Sequence, residues 1–131
     1  MDMEIYFAGN KKVSADYKGF TVETDQPTAE GGDGTAPAPF DLFLASLGTC
    51  AGFYVLRFMQ QRALPTEDAR LFMSMERNPK THLVSRISIK IKLPAGFPEK
   101  YEAAVIRAAE LCAVKRHLDN PPDFEISTSI G

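Results

Sequence analysis

The chain has 131 residues, 44% hydrophobic and 24% charged, a composition that fits one soluble globular domain over residues 1–131 and excludes collagen-like, coiled-coil and disordered classes. A formal net charge of −2 supplies no global positive field to gather phosphates, so nucleic-acid binding is not expected. A chain of this length buries roughly two-thirds of its unfolded surface and needs no disulfide staple.

The N-terminus carries Asp2 and Glu4 and no apolar run of signal-peptide length, which points to the cytoplasm. Met3 to Phe7 suits a strand, and Gly9-Asn10 supplies the positive φ angles of a tight hairpin into a second strand at Val13 to Tyr17. Lys18-Gly19 offers another turn, after which Phe20, Val22 and Thr24 alternate with polar residues as a third strand. Between Gln26 and Pro39 the composition turns to Pro, Gly, Ala and Thr, with GGDG at Gly31 to Gly34. A phosphate cradle would need a following Lys-Ser/Thr pair, which is missing, so this segment reads as a flexible lid or linker.

Pro37 and Pro39 mark the start of a helix expected to run to about Arg62, with Asp41 in its first turn. Its sequence is apolar on nearly every face, with a waist of small residues at Gly48 to Gly52 that would let another backbone approach. Such a helix asks for partners on all sides, which favours a dimer built around it. The uncharged run Leu42 to Leu56, fifteen residues, falls short of the roughly 18 to 20 needed to span a bilayer, so no membrane association is expected.

Leu71 to Asn78 and His82 to Leu93 form two further strands around the turn Asn78-Pro79-Lys80, with a slip in alternation near Ser85 that suggests a bulge. Tyr101, Ala104, Val105, Ala108 and Leu111 or Cys112 then make one stripe of an amphipathic helix from Glu99 to about Cys112. Phe124, Ile126, Thr128 and Ile130 alternate as a final strand. The order is α+β, antiparallel strands with a long central helix and a second helix.

Cys50 lies inside the long helix, where no helix terminus is available to lower its pKa, and reads equally as a small buried hydrophobe or a reactive thiol. Cys112 is followed by Lys115, Arg116 and His117, which would stabilise a thiolate or simply complement a helix end. Two packed helices would bring both thiols within disulfide range. The set Cys50, Cys112, His82 and His117 lacks the close spacings of a zinc site, so neither metal nor cofactor is expected.

The segment TAPAPFDLFLASLGTCAGFYVLRFM resembles the first cysteine motif of the OsmC/Ohr family, and AAELCAVKRHL resembles the second, where Cys-Pro-Val is usual. The resemblance covers nearly the whole chain. It implies an OsmC-like fold in an intertwined homodimer, and reduction of organic hydroperoxides by a thiol pair recycled by a dithiol reductant, lipoyl-type compounds included. By position Cys50 matches the peroxide-attacking cysteine and Cys112 the resolving one, with Phe40, Phe43, Phe53 and Tyr54 as apolar walls for the substrate.

The family's peroxidases use an N-terminal arginine and a glutamate ten residues before the first cysteine. Here no arginine precedes Arg57, that position is Phe40, and Asp41 follows it. Asp41 is a candidate activating acid, although nine residues along a straight helix leave it half a turn out of phase with Cys50. These departures support a competing expectation, a non-enzymatic redox-sensing or ligand-binding dimer.

Overall fold

The computed structural model describes residues 2–131, which divide into two compact units, one up to Ala45 and one from Ser46 onward. In the first unit, β1 (Glu4–Phe7), β2 (Val13–Tyr17) and β3 (Phe20–Thr24) form an antiparallel sheet in the order β1-β2-β3. Both turns were legible: Gly9 and Asn10 have φ of 107° and 46°, and Lys18 and Gly19 have 51° and 80°, the latter pair closing a two-residue hairpin on Tyr17 and Phe20.

The segment expected to be a flexible linker is instead knitted to the sheet. The backbone N–H of Asp25 donates to the Pro37 carbonyl at 3.2 Å, and the N–H groups of Gly32 and Gly34 donate to Pro27 and Gln26 at 3.1 Å. A Cβ at position 32 would collide with the Gln26 backbone, so only glycine fits there. Lys12 pairs with Asp33 at 3.0 Å and Asn10 Nδ2 donates to the Gly31 carbonyl at 3.0 Å, tying the loop to the β1–β2 turn.

The helix α1 (Pro39–Gln61) starts in the first unit and runs through the second. Leu44, Leu47, Ala51, Val55, Phe58 and Met59 are buried along one stripe, spaced as a helix face requires. Phe40, Phe53 and Leu56 stay exposed, so the all-round apolar character is only partly used within one chain. At 23 residues α1 is long and apolar enough to cross a membrane by length and composition, which the shorter uncharged run did not suggest; its buried stripe is that of a core helix. Arg62 closes its C-terminal end, donating to the Phe58 carbonyl at 3.1 Å while lying 3.6 Å from the Phe58 ring centroid.

In the second unit, β4 (Arg70–Arg77) and β5 (Val84–Lys92) pair antiparallel, and the register shifts between Glu76 and Arg77, where Arg86 and Val84 are the partners. Ser85 is the extra residue of that bulge, and its hydroxyl donates to the Glu76 carbonyl at 3.2 Å. Val55, Phe58, Met59 and Val105 form the core, lined by Leu71, Ile91 and Tyr101 among others. Each large side chain fully buried there contributes about 1.5–3 kcal/mol of transfer free energy. The small-residue waist faces β4: a Cβ on Gly48 would meet Met73 at 3.7 Å, and one on Gly52 would meet Leu71 at 4.0 Å. The element that approaches the waist is therefore a strand of the same chain.

Two expectations fail beyond this point. The helix expected from Glu99 to Cys112 is a 3₁₀ turn at Glu99–Tyr101 followed by α2 (Glu102–Ala109), and a separate α3 (Ala113–Asp119) begins after a break. The cause is Cys112, whose φ of −45° and ψ of 120° leave the helical path while its side chain is buried to 2% exposure. The final strand at Phe124 to Ile130 does not form. Residues 121–131 have no regular element, and Phe124, Ile126 and Ile130 are 85%, 93% and 104% exposed, because a strand needs a ladder neighbour that this chain does not offer them.

Candidate active site

Cys50 sits in the middle of α1, half-buried, and Cys112 is fully buried at the position just before α3; neither is in a disulfide. The thiol of Cys112 donates to the Leu47 carbonyl, 3.9 Å away and one turn before Cys50 on α1. It also lies within hydrogen-bonding reach of Cys50. A thiol has one proton to donate, so ionisation of Cys50 would draw the Cys112 S–H from the carbonyl to the thiolate.

Burial alone would push the Cys50 thiol up. The N–H of Val114, the Cys112 thiol, the N–H of Ala113 and the charge of Arg116 together outweigh it, and Cys50 is held below its ordinary 9.0. This corrects the sequence expectation that no helix terminus is available to Cys50: α1 offers none, but the first turn of α3 does. The sequence offers Arg116 as a cation for Cys112, and its charge is also among the influences that lower Cys50. The signal was present in Lys115-Arg116-His117, but only the break at Cys112 turns it toward the other thiol.

The remaining candidates lie apart or in pairs. Asp41 is exposed in the first turn of α1, within the first unit, its N–H donating to Ala38 at 3.0 Å. Phe40 and Phe43 pack with centroids 5.6 Å apart, also in the first unit. Phe53 and Tyr54 follow Cys50 by one helical turn, pack edge to face at 5.4 Å, and are covered by the Arg57 guanidinium, 4.8 Å from the Tyr54 centroid. His117 Nδ1 donates to the Ala113 carbonyl at 2.6 Å, and no group of three His, Cys, Asp or Glu gathers in ligand range among the described residues.

A thiol pair on this α+β frame is matched by one family description, OsmC-like protein, over residues 32–127. The chain belongs to the OsmC-like family. Solved structures share the OsmC-like fold at low identity. A Psychrobacter arcticus protein assigned to osmotic stress induction and the detoxification response superposes with a TM-score of 0.73 at 20% identity, over 87% of this chain and 85% of that one. The OsmC-like protein of Mycoplasma pneumoniae gives 0.70 at 13% identity, over 92% and 87%. The organic hydroperoxide resistance protein OsmC of Legionella pneumophila gives 0.53 at 17% identity, over 90% and 89%. No curated protein matches this OsmC-like sequence.

Proposed function

We propose that this OsmC-like chain, as one domain over residues 1–131, reduces organic hydroperoxides in the cytoplasm through Cys50 and Cys112. The observation that carries the reading is an acidified, half-exposed thiol in hydrogen-bonding reach of a second, buried thiol. The Cys50 thiolate attacks the distal oxygen of the hydroperoxide. The O–O bond breaks, the alkoxide leaves and takes a proton as the alcohol, and Cys50 becomes a sulfenic acid. The Cys112 sulfur then attacks the Cys50 sulfur, water departs, and a disulfide remains for a dithiol of the lipoyl class to reduce. Phe53 and Tyr54, one helical turn from Cys50, supply apolar contact for an organic substituent.

The same reading makes the working molecule a homodimer. Exposed Phe53 and Leu56 on α1 and the exposed alternating residues at 124–130 are apolar surface that a second copy would cover. Deleting residues 121–131 should leave the far-ultraviolet circular dichroism of the subunit intact and shift light scattering from dimer to monomer. A full-length chain that is monomeric at micromolar concentration overturns this.

A redox sensor or ligand-binding dimer is the second reading, favoured by the missing N-terminal arginine. Thiol titration after a substoichiometric alkyl hydroperoxide separates the two. Fast loss of two thiols per peroxide consumed, restored by a dithiol, supports the reductase; slow, unselective loss supports the alternative.

A further inference from the structure

One face of the β1-β2-β3 sheet carries a polar cleft within the first unit. Residues directly opposite on antiparallel strands share a face, so Ser14 of β2 and Glu23 of β3 project together. Ala8 and Lys12, the next pair toward the β1–β2 turn and joined from the Ala8 N–H to the Lys12 carbonyl at 3.0 Å, project to the same side. These four residues line a cavity of about 150 Å³, with Thr24 beside them and Thr35 and Ala36 supplied by the loop before α1. Ser14 is its buried member, only 5% exposed. The Ser14 hydroxyl has no hydrogen-bond partner among the described residues, and none of their partnerless side-chain oxygens is sealed from solvent, so this one opens into the cavity.

The free bonding capacity around that hydroxyl has two signs. Thr24 and Thr35 give their hydroxyl protons to the Val13 carbonyl and to Asp25, at 2.6 and 2.8 Å, so their oxygens can only accept. Lys12 spends one N–H on Asp33 at 3.0 Å and keeps two. Glu23 lines the same cavity, and among the described residues it forms no ion pair with Lys12 or any other cation. The volume is about half the roughly 300 Å³ at which drug-sized pockets begin, so it suits a solute of a few heavy atoms. We propose that the cleft binds a small zwitterion of the amino-acid class. Its ammonium meets Glu23 and the Thr35 oxygen, its carboxylate takes the spare N–H groups of Lys12 and the Ser14 hydroxyl, and a short side chain rests on Ala8 and Ala36. A simple ammonium would face Lys12 and a simple carboxylate would face Glu23, so each half alone meets a like charge. No lining residue belongs to the thiol pair, so the site stands apart from the proposed peroxide chemistry.

The test titrates L-alanine into the full-length protein and follows the amide resonances of Ser14, Glu23 and Thr35, with methylamine and acetate as the two half-ligands. L-Alanine should give saturable shifts at these amides, and each half-ligand should bind about tenfold more weakly or worse. Glu23→Gln, on an exposed side chain, and Ser14→Ala should each weaken L-alanine about tenfold or more, the cost of one hydrogen bond to a charged group. Ser14→Ala should also melt at the parent's temperature or above it, because the deleted hydroxyl has no partner within the chain. Asp33→Asn is the control: it breaks the ion pair to Lys12, leaves every lining charge in place and should retain binding.

No saturable shift with L-alanine well above millimolar concentration overturns the site. Methylamine or acetate binding as tightly as L-alanine overturns the zwitterion class. Undiminished affinity in both Ser14→Ala and Glu23→Gln places the ligand elsewhere and overturns the assignment. A Ser14→Ala protein that melts well below the parent makes the hydroxyl a structural group and overturns its role in the cleft, and Glu23→Gln still decides whether the opposite charge takes part. Loss of binding in Asp33→Asn equal to that in Glu23→Gln overturns a direct role for Glu23 in favour of the loop's position.

Discussion

Asp25 and Cys50 lie in separate units, and each is met by backbone N–H groups and a side-chain donor. The Asp25 carboxylate accepts from the Thr35 N–H at 3.1 Å, the Thr35 hydroxyl at 2.8 Å and the Gln26 N–H at 2.7 Å, which hold it at about 2 although its residue is wholly buried. Its charge is permanent near neutral pH and serves to lock the 26–35 loop. Cys50 receives comparable donors but starts from 9.0 and stays half-exposed, so the same kind of cradle lowers a thiol that a solute can reach. Donors decide that a charge forms; intrinsic acidity and access decide whether it holds structure or reacts.

The largest effect should come from removing the reactive side of this comparison. Cys50→Ser should abolish hydroperoxide consumption, since a serine hydroxyl supplies no comparable nucleophile near neutral pH. Cys112→Ser should allow one oxidation, trapped by a dimedone-type probe on Cys50 and read by mass spectrometry. Adduct on Cys112 in the Cys50→Ser protein, with none on Cys50 in the reciprocal variant, would reverse the roles.

Asp25→Asn attacks the structural side. It should lower the melting temperature at neutral pH without moving the titration midpoint of Cys50. Because the folded value is depressed, the stabilisation is complete above the ordinary 3.8 and is lost as pH falls toward about 2. Acid titrations of the parent and variant should converge at the low end of that window; curves that stay parallel would refute the linkage.

Gly32→Ala sharpens the comparison by disturbing the loop sterically while leaving the Asp25 charge in place. The collision with the Gln26 backbone should cost about 1–3 kcal/mol in denaturant unfolding, with no change in thiol reactivity. The smallest effect is expected two residues from the thiol. Gly52→Ala places a Cβ at ordinary contact distance from Leu71, so the gain in helix propensity should stabilise by up to about 1 kcal/mol. A destabilised Gly52→Ala protein would mean that α1 and β4 cannot accept even one methyl group at the waist.

Where local pattern and structure agree, the cause is short range. The hairpins at Gly9-Asn10 and Lys18-Gly19, the span of α1 and the bulge at Ser85 follow from positive-φ residues, paired prolines and one break in alternation. The break at Cys112 could not be read the same way, because the stripe Ala104, Val105, Ala108 continues smoothly into it and only burial against α1 decides it. Arg116 was visible as a charge but not as a neighbour of Cys50, some sixty-six residues away in sequence. The 124–130 segment has a strand's pattern without a strand's partner. Alternation reports which face wants covering; it does not supply the cover.

Ala113 opens α3 directly after the break at Cys112. Most substitutions that tune a reactive group must first be repaired elsewhere in the fold. A buried Cys112 that lies at the break between one helix and the next ties the second thiol to the path of the chain, so a substitution there acts on fold and thiol together.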